Sequence, residues 1–571
     1  MTILEKNIQA LLSGVNEPLG NKLLNFIQNK TCSRFNIDEN LNIYDKTHNV
    51  FMYENLEEEL NFFYQSILEK TPRYPFVCIY GIGNALLIKN LAKHYKHLFV
   101  FESEIELFIL ALSTIDLSEE LKVYKVVLFD CVAKDLEIQI AMIFDQQSIL
   151  EYLSLYEMFI SSHYYLKYYE TSILSLNELC IKSASVAIRN VDITCFLPLL
   201  THGQFLQNIP SMLESIPFQR ILSQRKNKFD NAIVVSAGPS LAKQLPLLKA
   251  CQDKAVIFCA DGALSMLEKE GIVPDYVTNL DFTDLAMKFF QNKENKTSLN
   301  ILSCATHPNV AHSLKAENCM IVLRNKALYQ RFNFNDFGYI DTGTHVSHFS
   351  YTLALALGFK NIIMIGQDLA FDEEGNSHSK GFDFGEKFSG EENIDKLKIP
   401  AYAGKGEVLT HTTWNDYRIK LEYLFACNDQ KAKFYNATEG GARINFTEEL
   451  SFKECCEKLL TKEKPKFELP KSLTKNRSDK LLVKFKEKIQ KDQENAKRFL
   501  DDALALKQIL ENILSKDFIL PLEFLEKVYQ NIENFNHSLD EDEFIQDGIL
   551  KAVMYERGLK ISLVYKENIV D

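Results

Sequence analysis

Two short apolar runs in the middle of the chain each end in a turn of small residues: Asn231–Ser240 (NAIVVSAGPS) and Ala255–Leu264 (AVIFCADGAL). Each turn leads into a helical pattern. A buried parallel strand followed by a glycine turn and a helix places backbone N–H groups and a positive dipole end where a phosphate can sit. Gly238 permits either a positive φ or a close backbone approach. Pro239 suits a first helical position, and Ser236 and Ser240 add hydroxyl donors. Asp261-Gly262 ends the second run, where an acid often accepts hydrogen bonds from a ribose or a base. Asn279 and Asp281 end a third strand-like run, and Gln367 and Asp368 end a later one. The stretch DTGTHVSH (341–348) is a second small-residue helix start. Its Thr342, Gly343, Thr344, His345 and Ser347 suit a phosphate. His345 and His348 have i, i+3 spacing, but no third ligand is visible to make them a metal pair, and capping or packing explains them as well. His378, in NSHSKG, and His411, in LTHTTW, are candidate bases because imidazole takes a proton near neutral pH. Any one of these residues also fits an ordinary turn or an exposed loop. Several polar strand ends meeting on one sheet edge are a stronger signal than any of them alone.

The elements that must position these residues follow from hydrophobic pattern. From about 230 to 446, strand candidates AIVVSA, AVIFCA, YVTNLD, NILSCA, CMIVLR, NIIMIGQD and AKFYNAT alternate with helical stretches. Continuous apolar strands in such alternation predict a parallel sheet covered by helices on both faces. A polar, glycine-containing insertion at 371–408 interrupts the rhythm, and long loops at the carboxyl edge of such sheets often carry ligands. Upstream, FVCIYGIGNA, HLFVFE, KVVLFD and IQIAMIFD are strand candidates of a first α/β unit. There Gly81-Ile82-Gly83 opens a helix and Glu102 follows about 20 residues on, with Leu86 where a third glycine would fall. This half of a dinucleotide fingerprint reads as scaffold rather than as a second active site. Residues 447–571 are charged and helical in period, with prolines at 465, 470 and 521. The acidic run Asp540-Glu541-Asp542-Glu543 reads as a solvated turn. The expected layout is an N-terminal Rossmann-like α/β domain (1–225), a central catalytic α/β domain (226–446) and a C-terminal helical bundle (447–571).

The 571 residues suit about three domains, with two as the alternative. A net charge of −13 argues against a nucleic-acid surface, because phosphate backbones require clustered Lys and Arg. No run approaches the 20 or so apolar residues of a membrane span. The N-terminal MTILEKNIQALLSG lacks the unbroken apolar core of a signal peptide. The 12 cysteines are scattered without a CxxC pair, which fits buried free thiols in a reducing cytoplasm.

The motifs SAGPSL, ADGALSMLEKEGIVPDYVTNLD, GTHVSHFSYTLALALGFKNIIMIGQDLAF and SHSKG, in this order, resemble the motility accessory factors. These are bacterial proteins implicated in attaching nonulosonic acids, pseudaminic or legionaminic acid, to Ser and Thr of flagellin. The central domain is also similar to a pterin diphosphokinase domain and, more distantly, to bacterial sialyltransferases. The resemblance implies a CMP-linked sugar donor, flagellin as acceptor, and a cytoplasmic glycosyltransferase needed for flagellar assembly. The sialyltransferase turn usually reads NGPSL, so Ala237 stands in place of its Asn. Asp261 matches that family's second-strand Asn, Thr342-Gly343-Thr344 its CMP-holding Ser-Gly turn, and both His378 and His411 its general base. Two other readings stand beside this one. One is a Mg²⁺-dependent diphosphotransferase with Asp261, Asp281 or Asp368 on the metal. The other is a non-catalytic flagellin chaperone or export factor docking through the helical tail. The sugar, metal dependence and oligomeric state, a homo-oligomer included, are open at this stage.

Overall fold

The computed structural model describes residues 2–14, 16–189, 196–291, 298–388, 396–515, 520–542 and 551–567. Its fold is mixed α/β, with parallel sheets flanked by helices and a largely helical C-terminal region. The chain divides into two compact units, Met1–Thr194 with Lys551–Asp571, and Cys195–Leu550. Residues 447–550 thus lie in the same unit as the central sheet. Among the described residues no helix is long and apolar enough to cross a membrane.

The first unit opens with a small antiparallel sheet, β1 (Phe35–Ile37), β2 (Ile43–Asp45) and β3 (Val50–Phe51). Its main sheet is parallel: β4 (Phe76–Tyr80), β5 (His97–Glu102), β6 (Val126–Asp130) and β7 (Met158–Ile160), in the order β6-β5-β4-β7. The strand expected at IQIAMIFD is instead part of a helix, Leu136–Phe144. Its buried residues Leu136, Ile140, Ile143 and Phe144 have helical spacing, and a continuous apolar run carries no period that separates helix from buried strand. The acidic run at 540–543 only partly falls within the described residues. There, Asp540 and Glu541 end the helix Leu522–Glu541 and Asp542 is its C-cap.

The second unit is built on β8 (Asn231–Val235), β9 (Val256–Ala260), β10 (Tyr276–Asn279), β11 (Leu299–Ser303), β12 (Cys319–Arg324), β13 (Tyr339–Ile340), β14 (Asn361–Ile365), β17 (Lys433–Asn436) and β18 (Glu448–Glu449). The sheet order is β13-β12-β11-β10-β9-β8-β14-β17-β18, and every pairing is parallel. The chain therefore walks outward from β8 to β13, then crosses back to place β14 on the other side of β8. The crossing helix, Val346–Ala356, packs over β8, β9 and β10. Within β8 the faces alternate as the pleat requires. Ala232 and Val234 join Phe349 and Leu353 of the crossing helix in one core, while Ile233 and Val235 join Leu241, Leu245 and Leu248 of helix Leu241–Cys251 in the other. Burial on both faces is why these strands carry unbroken apolar sequence.

The insertion after β14 contains an antiparallel hairpin, β15 (Lys396–Pro400) and β16 (Glu407–His411). The helix Thr412–Ala426 starts directly from it. Toward the C-terminus, helix Lys475–Leu514 anchors its first half on the sheet unit. Its Leu481 and Phe485 pack with Phe205 and Phe334, and Arg331 grips Asp492 through both guanidinium nitrogens.

Candidate active site

In an open parallel sheet, ligands bind outside the carboxyl ends of the strands where the strand order reverses. Here that point lies between β8 and β14. Ser236, Ala237 and Gly238 leave β8 there, and Gly366, Gln367 and Asp368 leave β14 beside them. A cleft of about 280 Å³ opens at this place. Ser236, Gly238, Asp261, Gly262, Asp281, His345, Ser347, Gln367, Asp368 and His378 all line it. Pro239, Ser240, Asn279, Thr342, Gly343, Thr344 and His411 are not among its lining residues.

The two turns are held together by close contact. The Gly238 N–H donates to the Gly366 carbonyl at 2.8 Å. A β-carbon on Gly238 would fall 2.1 Å from Asp368 Oδ2 and 2.5 Å from the Gly366 oxygen. Gly238 is thus needed for close approach, not for a positive φ. Pro239 precedes the N-cap, Ser240, rather than opening the helix. Ser240 donates its hydroxyl to Asp368 Oδ2 at 2.8 Å, and its N–H faces the same carboxylate at 3.3 Å. The positive end of helix Leu241–Cys251 therefore already holds an anion, the chain's own Asp368. Burial without a basic neighbour in hydrogen-bond contact pushes that carboxyl up to about 6.

The other acids are tied as well. Asp261 accepts from the Gly262 N–H at 2.7 Å and from Asn279 Nδ2 at 2.5 Å. Asp281 accepts from the N–H and hydroxyl of Thr283, both at 2.8 Å. Among the described residues no group of three or more His, Cys, Asp or Glu side chains is arranged to hold a metal ion. Ser236 Oγ lies 2.9 Å from both Ser347 Oγ and Gln367 Oε1, joining β8, the crossing helix and β14 in one buried polar contact.

The histidines divide by tautomer. His345 caps the crossing helix, its Nδ1 accepting the His348 N–H at 3.3 Å. Its proton is then on Nε2, a buried N–H with no protein partner, in a residue that lines the cleft. His411 caps helix Thr412–Ala426 in the same way, Nδ1 accepting from Trp414 N–H at 3.3 Å. The only lone pair of the neutral His411 ring is thereby committed. His378 is different. Its Nδ1 lies 3.0 Å from Ser377 Oγ, whose own hydrogen points to the carbonyls of Phe388 at 2.6 Å and Glu386 at 2.9 Å. Nδ1 is thus the donor, and Nε2 keeps a lone pair. The ring is stacked on Phe382 at 3.9 Å and 8°, and burial lowers its pKa to about 4. It is neutral at physiological pH.

His348 lies under the Gly343 turn, 5% exposed, with both ring nitrogens unpartnered and its pKa lowered to about 4, chiefly by burial. Its folded-state value is below the ordinary 6.5, so the stability it lends is intact above 6.5 and disappears as pH falls toward 4. His348→Leu is therefore expected to lose less stability than the wild type between pH 6.5 and 4, checked by urea unfolding across that range. Equal losses in both proteins would refute it.

Sequence reasoning missed the aromatic wall of the cleft: Trp414 and Tyr417 from helix Thr412–Ala426, with Phe289 and Phe382 elsewhere. The available signal was the chain's single tryptophan, three residues after a helix-start histidine. The glycine turn of the first unit is filled by protein. Glu102 accepts the Ile82 N–H at 3.1 Å and the Tyr165 hydroxyl at 2.6 Å, and Tyr165 in turn accepts the Gly83 N–H at 3.1 Å. A β-carbon on Gly81 would lie 2.2 Å from the Tyr165 ring. The groups that would cradle a pyrophosphate are occupied by Glu102 and Tyr165.

With this geometry in place, comparisons with known proteins add three findings. Residues 203–374 match the family model described as 6-hydroxymethylpterin diphosphokinase MptE-like. A search of curated proteins gives no match. Among solved structures, the chain is similar to the MAf glycosyltransferase from Magnetospirillum magneticum AMB-1, at 16% identity and a TM-score of 0.46, over 99% of this chain and 97% of that one. The family match agrees with the resemblance of the central residues to a pterin diphosphokinase domain. At this level of likeness the chemistry has to come from the cleft's own residues.

Proposed function

We propose that this chain transfers a nonulosonic acid, pseudaminic or legionaminic acid, from its CMP-linked form to Ser and Thr hydroxyls of flagellin. The observation that carries this reading is the pairing, across one cleft at the switch point, of a free imidazole lone pair on His378 with an orphaned imidazole N–H on His345. A glycosyl transfer to a hydroxyl needs both: a base for the acceptor proton and a donor for the departing phosphate.

The acceptor oxygen attacks the anomeric carbon of the sugar, the bond from that carbon to the CMP phosphate oxygen breaks, and His378 Nε2 takes the hydroxyl proton. CMP leaves carrying the bonding pair. The charge on its phosphate is met by His345 Nε2–H and by the N–H groups of Val346 and Ser347, the first of helix Val346–Ala356, which have no intrahelical partner; that of His348 is spent on His345 Nδ1. The N–H groups of Gly238 and Gly343 are spent on Gly366 O and Asp341, so their glycines shape the cleft rather than grip phosphate. This reading involves no metal-dependent step.

Purified chain, CMP-sugar and unmodified flagellin are expected to give flagellin heavier by whole sugar residues in intact-mass spectra. Dependence on ATP and Mg²⁺ instead of CMP-sugar would replace this reading with diphosphotransfer. Flagellin that is exported normally only when the chain is present, yet never modified, would replace it with a chaperone role.

A further inference from the structure

The cleft has two walls of different origin in the sequence. One comes from within the stretch that matches the MptE-like model: Ser236, Asp261, Asp281, His345, Ser347 and Asp368. It holds every carboxylate that lines the cleft. The other comes from beyond that stretch, from the insertion and the helix after it, and includes Trp414 and Tyr417. Three residues apart, these two share one helix face. Each is backed by an imidazole. Tyr417 stacks on His345 at 4.7 Å and 28°, and Trp414 lies 4.0 Å from His411 at 34°. Burial lowers the pKa of both histidines, so the wall is aromatic and its imidazoles are neutral.

Resting on the reading above, we infer that Trp414 and Tyr417 are the nucleobase platform of the cleft and set its preference for a nucleotide. Continuity fixes the order. His345 contributes its N–H to the phosphate position and its ring to Tyr417, so the aromatic face begins beside the phosphate and runs away from it toward Trp414. A nucleotide occupies such a path with its phosphate at the helix start and its base on the rings. The uncharged base suits the rings: among the described residues no Lys, Arg, Asp or Glu of this wall lines the cleft, and Lys420 and Lys396 act on the two histidines behind it. Base-on-aromatic stacking tolerates different bases because every base has a π-face.

Trp414 is the only tryptophan in the chain, so its fluorescence reports on this wall alone. CMP titrated into the full-length wild type is expected to change that emission saturably. In calorimetry, Trp414→Ala is expected to weaken CMP about 10- to 100-fold, the range of base–aromatic stacking. Ribose 5-phosphate affinity is expected to stay within about twofold. Trp414→Phe, which keeps a ring, is expected to retain CMP affinity within a few-fold and guards against misfolding. Equal CMP affinity in wild type and Trp414→Ala overturns the platform while leaving the sugar-transfer reading standing. Equal weakening of CMP and ribose 5-phosphate also overturns it. A wild type that binds no CMP at all overturns both.

Discussion

His378→Ala is expected to lower kcat/KM for sugar transfer by about 10²- to 10⁴-fold, the usual contribution of one positioned base, while His411→Ala lowers it far less. The difference follows from hydrogen bonds, not from distance along the chain. His411 spends its lone pair on the Trp414 N–H, whereas His378 donates through Nδ1 and keeps Nε2 open. His378→Gln is the informative conservative variant, since it keeps a polar side chain but supplies no base. The pH profile gives a second check. Because burial holds the His378 pKa near 4, the ring is in its basic form above that value, and the His378-dependent acid limb of kcat/KM is expected to fall near pH 4, well below the limb of an ordinary imidazole. Asp368, held near 6, titrates in the same cleft. Asp368→Asn separates the two, because a limb near pH 6 that vanishes in this variant belongs to the carboxyl. Full activity in His378→Ala, or a limb at 6.5 in both proteins, would remove His378 from the mechanism.

The central sheet was legible because burial on both faces writes an unbroken apolar run for each strand, and all seven expected runs form strands. What escaped was short or half-exposed. β13 and β18 are two residues each, and the hairpin β15–β16 is mostly half-buried or exposed, so its residues (KLKIP and EVLTH) show no strong apolar signal. IQIAMIFD failed for the opposite reason, having apolar residues at nearly every position and no period to read. The polar strand ends were legible because the carboxyl ends of parallel strands must share an edge. The roles within the cleft were not. That Gly238 faces Asp368 and that Ser240 binds the same carboxylate are facts of contact between segments over 100 residues apart, which spacing does not carry. Which imidazole lone pair is free is decided by local contacts whose geometry residue types alone do not give. Trp414 and Tyr417 were hidden among 65 aromatic residues, most of which have no distinguishing neighbour in the sequence.

Gly238→Ala is the second variant expected to have a large effect, and it acts on structure and function together. The added methyl would sit 2.1 Å from Asp368 Oδ2 and 2.5 Å from the Gly366 carbonyl oxygen. The carboxylate cannot simply swing aside, because it accepts both the hydroxyl and the N–H of Ser240. The carbonyl is fixed by the Gly238 N–H itself and by Gly366, whose φ of +64° is open mainly to glycine. Relief therefore requires β8 and β14 to part at their carboxyl ends, which is the floor of the cleft. Overpacking of this kind costs about 1–3 kcal/mol, and loss of the Ser240–Asp368 contact leaves a buried carboxylate unsatisfied, about 1–3 kcal/mol more. The expected result is a clear drop in Tm together with loss of CMP binding. Gly203→Ala is the matched control. It lies in helix Phe196–Glu214, away from the cleft, with no atom within 4 Å of the added methyl. There alanine is expected to stabilise by about 0.5–1 kcal/mol through its higher helix propensity and to leave CMP binding unchanged. A Gly238→Ala protein with wild-type Tm and CMP affinity would mean that the two turns are not in contact, and the switch-point cleft would lose its floor.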